Sequence, residues 1–172
     1  MQQIGRILLA LAMLAATSCA VVHTTFSLQG QYDKRLERLQ RERDKLSRAT
    51  DPVDRAKTDI SISELLLSLA GDAVKSGEPE VLEKRLKEYV ETIQDAHQTM
   101  VKTGRDAHRK PKGFKDLEIA LRRQIRTLDD IGKTLTFDQR NPVDKAKQQA
   151  SDIRDDLLKA LFGEQNAPGK KS

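Results

Sequence analysis

Two short units in the second half of the chain place acids beside histidines: Asp95-Ala96-His97 and Asp106-Ala107-His108. Imidazole and carboxylate together are a donor set that transition metals accept. The units lie eleven residues apart, close to three helical turns, so an unbroken helix would turn both to one side. That spacing also separates them by roughly 16 Å along the axis, too far for one ion to bridge. Each unit would then need ligands from another helix, and no other predicted helix of the domain offers a histidine or cysteine. Asp95, His97, Asp106 and His108 are therefore candidates on the wet flank of a helix, with no bound metal expected. His97 with Met100 suggests haem ligation, but the chain has no CxxCH motif and few aromatics to line such a pocket. Met100 falls on a regular apolar seam and reads as core. No cofactor is expected.

Other catalytic chemistry finds no foothold. There is no Gly-x-Ser-x-Gly, no partnered cysteine and no glycine-rich phosphate loop. The acid pairs Asp129-Asp130 and Asp155-Asp156 are adjacent in sequence, so on a helix they point about 100° apart. They read as solvated faces paired to Lys and Arg one turn away. The expectation is a protein that is not an enzyme.

A basic cluster is the stronger lead. Residues 101–126 carry nine basic side chains against Asp106, Asp116 and Glu118, a local excess above the +5 of the whole chain. It centres on the turn Lys110-Pro111-Lys112-Gly113. Lys102, Arg105, Arg109, Lys110, Lys112 and Lys115 form the candidate interaction patch, suited to an envelope protein or another anionic surface. The plainer account is a solvated loop with ordinary basic decoration. Nucleic acid is disfavoured because stacking aromatics are scarce and the chain opens like an exported one.

That opening is the most specific feature. Arg6 is the only charge before residue 33, an apolar run covers residues 7–16, and small residues follow. This is the pattern of a secretory signal peptide, too short to span a bilayer. Leu14-Ala15-Ala16-Thr17-Ser18-Cys19 resembles the lipobox of bacterial lipoproteins, with Ala16 departing from the larger aliphatic usual there. The resemblance implies residues 1–18 as a signal peptide of lipoprotein type. It also implies lipidation of Cys19 and a location on the periplasmic face of a membrane, held through the lipid rather than a span. Cleavage after Ala20 is the alternative. Cys19 is the only cysteine, so no disulfide forms within the chain.

The rest must position these groups by packing alone. With aromatics at 3%, no Trp and 33% charged residues, the core has to come from Leu, Ile, Val and Ala, a palette for packed helices. Residues 19–31 lack charge and periodicity and read as a tether, and 164–172 as a disordered tail. Between them lies one domain, 32–163: an all-α antiparallel bundle of about four core helices plus a charged N-terminal helix. That charged helix, 32–48, carries a narrow stripe of Tyr32, Leu36, Leu39 and Leu46, interrupted by Arg43. Such a stripe suits a homo-oligomer.

Asp51-Pro52-Val53-Asp54 starts a second helix, apolar on most of its surface, that Gly77 ends. The third begins at Pro79 with the seam Leu82, Leu86, Tyr89, Ile93, Ala96 and Met100, and extends to Ala107 or beyond. The fourth covers Phe114 to Leu135. The fifth opens at Asn141-Pro142 with Val143, Ala146, Ala150, Ile153, Leu157 and Ala160 inward, and Gly163 closes it. Asp51-Pro-Val-Asp-Arg-Ala-Lys57 nearly repeats as Asn141-Pro-Val-Asp-Lys-Ala-Lys147. Convergence on a good helix start explains this as well as duplication does.

The expected function is a non-catalytic envelope lipoprotein with a structural or protein-interaction role. The alternatives are a metal- or small-ligand-binding bundle and a chaperone-like assembly factor, the last needing an exposed apolar groove.

Overall fold

A computed structural model describes the backbone of residues 19–163 and the side chains of residues 30–163. The expected signal peptide, the Cys19 thiol and the expected tail lie outside these described side chains. Among the described residues the chain is all-helical, with five helices: α1 (Cys19–Arg48), α2 (Pro52–Ser76), α3 (Pro79–Lys102), α4 (Phe114–Lys133) and α5 (Asn141–Phe162). The chain divides into two compact units, Met1–Glu37 and Arg38–Ser172. The first holds the N-terminal part of α1. The second holds its last turns and α2 to α5.

Helix α1 begins at Cys19 rather than at Tyr32, so the stretch read as a tether is helical backbone. Missing charge and periodicity argue against a buried face, but they do not stop a helix, and residues 19–31 contain no proline.

The start of α2 follows its sequence signals closely. The Asp51 side chain accepts from the backbone N–H groups of Val53 and Asp54 at 2.9 and 3.0 Å, and Pro52 takes the first turn. Gly77 closes the helix at φ +69°, where it donates to carbonyls of the last turn. Two residues later α3 begins.

Helices α2 and α3 pack extensively as a hairpin, and so do α4 and α5. The hairpins join through α3 against α5 and α2 against α4, whereas α3 and α4 scarcely meet. The order around the bundle is therefore α2, α3, α5, α4, and the link from α3 to α4 joins opposite corners. This explains why residues 103–113 form the longest connection between the helices.

The core is aliphatic, as the composition requires. Leu66, Leu69, Ile93, Leu117, Leu121, Leu128 and Leu157 are fully buried around Tyr89 and Met100. All six predicted seam residues of α3 are buried. In α5 the inward face turns slightly from the expected one: Ala160 is exposed, and Leu158 and Leu161 are buried in its place.

Polar residues also enter this core. Tyr89 Oη donates to Gln124 Oε1 (3.2 Å), Gln124 Nε2 donates to Ser63 Oγ (2.7 Å), and Ser63 Oγ donates to the Ile60 carbonyl (2.9 Å). The chain links three helices with each donor satisfied, which a buried polar group requires. Glu118 is buried and accepts from Arg122 on its own helix (2.7 Å) and Arg154 of α5 (3.0 Å).

Candidate functional site

Helix α3 ends at Lys102, short of the predicted Ala107. Thr103 Oγ1 donates to the Met100 carbonyl at 2.6 Å, and Gly104 turns to φ +63°. The link that follows is tied down at several points. Asp106 Oδ1 accepts from the backbone of His108 (2.9 Å) and Arg109 (3.3 Å), and its carbonyl accepts from Lys110 N (2.8 Å). Ala107 is buried. His108 Nδ1 lies 3.1 Å from the Leu161 carbonyl, which fixes the link to the end of α5. At the far side Gly113 adopts φ +89° directly against Met100: a Cβ there would stand 2.5 Å from Met100 Cε. Only glycine permits this approach.

This anchored link and the helix ends it joins lie at one end of the bundle, and all six patch residues there are exposed. Among the described residues only Arg109 has a carboxylate within ion-pair distance, Asp106 at 3.4 Å. Lys102, Arg105, Lys110, Lys112 and Lys115 have none. The sides of the bundle differ. There, Arg43–Glu88, Arg55–Asp95, Arg85–Glu88, Arg123–Glu64 and Lys147–Asp129 are paired at 2.7–3.6 Å. Asp129 illustrates the pattern: hydrogen bonds from Lys147 and Lys133 hold its carboxyl down at about 2.

The four histidine and aspartate candidates are not brought together. Asp95 pairs with Arg55 of α2, His97 is half-buried on α3 near Asp156, and Asp106 and His108 serve the turn beyond the helix end. Burial lowers the His97 pKa from its ordinary value, partly offset by Asp156. The one-sided arrangement required an unbroken helix, and Gly104 interrupts it. Among the described residues no group of three or more His, Cys, Asp or Glu is placed to hold a metal ion. Nor is any described helix long and apolar enough to cross a membrane.

Two features were not anticipated. Asp59 of α2 is 1% exposed, and neither carboxylate oxygen has a hydrogen-bond partner among the described residues. Burial, with Asp95 adding to it and Arg55 opposing, raises its carboxyl from 3.8 to about 7. Ala56, Asp59, Ser63, Leu66, Ala70 and Ala73 follow a three-four spacing, and that signal could have revealed it.

The second feature is a cleft of about 370 Å³ at the other end of the bundle, where α2 ends, α3 begins and the α4–α5 link turns. Its walls include Ala73, Leu82 and Leu135, and its rim carries Glu78, Glu80, Glu83 and Asp138. None of these four acids has an ion-pair partner among the described residues. Beside them Phe137, at the tip of a turn closed by Gln139 N to the Thr136 carbonyl (3.2 Å), is 92% exposed.

Set against family models, characterised proteins and solved structures, the chain matches none.

Proposed function

We propose that this chain is a non-catalytic interaction protein of a bacterial envelope, which presents the basic end of its helical bundle to an acidic protein face. In this reading residues 1–18 are a signal peptide, a lipid on Cys19 holds the protein at the periplasmic side of a membrane, and α2 to α5 form the interaction domain. The lipobox resemblance supports the location. One observation carries the interaction role: five basic side chains without carboxylate partners among the described residues, three on the link anchored by Ala107, His108 and Gly113 and two on the helix ends it joins, are displayed together. Like charges held close repel one another, and a rigid display loses little ordering entropy when it binds. An acidic surface offers the compensation that the described residues do not. Charge complementarity of this kind chiefly sets on-rate and partner choice.

The test is cross-linking in cells from a photoreactive residue at Arg109, followed by identification of what is captured. A single reproducible envelope partner, lost on Lys110→Glu with Lys112→Glu, is the expected result. A pattern unchanged by charge reversal refutes the role of the basic end.

A further inference from the structure

The two ends of the bundle differ in sign and match in chemistry. One end projects Lys102, Arg105, Lys110, Lys112 and Lys115, with Val101 and Phe162 of the neighbouring helix ends each 56% exposed. The other carries Glu78, Glu80, Glu83 and Asp138 around an apolar cleft, with Phe137 standing free. Acids in a first helical turn and bases in a last one are common complements to the helix dipole. That accounts for Glu80 and Lys102. It does not account for Asp138, Phe137, Lys110 or Lys112, which lie in connections. The narrow stripe of α1 is not free to serve self-association throughout: Leu39 is already buried.

We infer that copies of this chain associate head to tail, the basic link of one copy seating on the acidic cleft of the next. The inference rests on the basic end being a contact surface and names its partner as a second copy. Lysine ammonium groups on either side of Pro111 meet the carboxylates of the rim, and Phe137 meets the apolar side chains beside the link. Because the complementary surfaces lie at opposite ends of one bundle, the contact is heterologous and leaves a free end on each side. Such contacts extend into chains rather than stopping at two. Four helices about 10 Å across give an end face of roughly 400 Å², near 800 Å² for both partners. This is below the usual stable interface, so the contact is weak and strongly dependent on salt.

Sedimentation velocity on the full chain tests this, with residues 1–18 present in every variant so that association through them is common to all. At about 0.01 M salt, where charges act over ~30 Å, the average mass should rise with concentration beyond that of a dimer. At about 1 M salt, where they act over ~3 Å, it should fall back. Lys110→Glu with Lys112→Glu cuts the five unpaired positive charges of the basic end to a net of one, and Glu83→Lys with Asp138→Lys brings the four negative charges of the acidic rim to a net of zero. All four positions are exposed, and circular dichroism checks that the variants stay folded. Each variant alone should lose the growth in mass, and an equal mixture should regain association. Reversals that leave the growth unchanged, a mixture that remains apart, or a wild type that stays monomeric or halts at a dimer would overturn the inference. If the chain does not self-associate while cross-links from the basic end still capture another envelope protein, the functional reading stands without this one. If those cross-links capture nothing, the functional reading itself fails.

Discussion

Replacing Asp59 by Asn should stabilise the fold, and more so as pH rises. Both carboxylate oxygens are buried without hydrogen-bond partners among the described residues, and burial raises the carboxyl from 3.8 to about 7. The sign follows from linkage. Well below pH 3.8 the group is protonated in both folded and unfolded chains, and its carboxyl costs the fold no charge burial. As pH rises past 3.8 the unfolded chain ionises first, and stability falls by up to ~1.4 kcal/mol per pH unit. The loss levels off above about pH 7, where the folded chain ionises too. The full interval corresponds to about 4 kcal/mol as a ceiling, because local relaxation returns part of it. Asn removes the titration at nearly constant volume. Urea unfolding at a series of pH values should therefore show Asp59→Asn within about 0.5 kcal/mol of wild type near pH 4, and about 2–4 kcal/mol more stable at pH 8. Parallel curves for the two proteins, or a variant less stable at every pH, would show that the carboxylate is satisfied in the fold and sink the argument.

Other changes test other parts of the structure. Gly113→Ala meets both a positive φ and the Met100 side chain at 2.5 Å, so it should cost about 2–4 kcal/mol in urea unfolding. Gly104→Ala, at φ +63° with nothing within 4 Å of the new methyl group, should cost only about 1–2 kcal/mol. Equal costs would mean that the Met100 contact does not constrain the link. Arg154→Leu removes one of two guanidinium groups on the buried Glu118 and should cost about 1–2 kcal/mol, since Arg122 remains. A neutral result would place the hold on Glu118 with Arg122 alone. Cys19→Ala should move the protein from the membrane fraction to the soluble one; an unchanged distribution would refute the lipid anchor.

Much of the fold was legible because helix signals in this chain are local and redundant. Asp51 and Pro52, Gly77, Pro79 and Gly163 mark boundaries by chemistry that acts within one turn. The α3 seam was readable because its six apolar residues keep strict spacing. What escaped depended on distance in space. Gly104 could be seen, but whether it would break the helix depended on the link having to cross between opposite corners. That crossing is a property of how the hairpins pack. It separated the two histidine units and gathered the lysines at one end instead. The acidic cleft was invisible for a similar reason: Glu78, Glu80 and Glu83 are near one another in sequence, but Asp138 and Phe137 join them only once α4 returns to that end.

Asp59 shows how a polar residue can sit on a seam without betraying itself. Ser63, one turn on, satisfies its hydroxyl through Ile60 and Gln124, so a small polar residue fits that face. Among the described residues Asp59 has no such partner. The nearby guanidinium of Arg55 is turned to Asp95 at 3.6 Å and to the carbonyls of Leu46 and Ala49 at 3.3 and 3.4 Å. The Leu46 carbonyl belongs to the last turn of α1 and the Ala49 carbonyl to the turn that joins α1 to α2. Arg55 thus ties that turn to α3, and an ionised Asp59 competes for it. Asp95→Asn should shift this balance: it removes one cause of the raised Asp59 pKa and frees Arg55 to pair with Asp59. The Asp59 carboxyl resonance, followed by carbon NMR, should then titrate below its wild-type midpoint of about 7. An unmoved midpoint would leave burial alone responsible and remove Arg55 from any competition between the two acids.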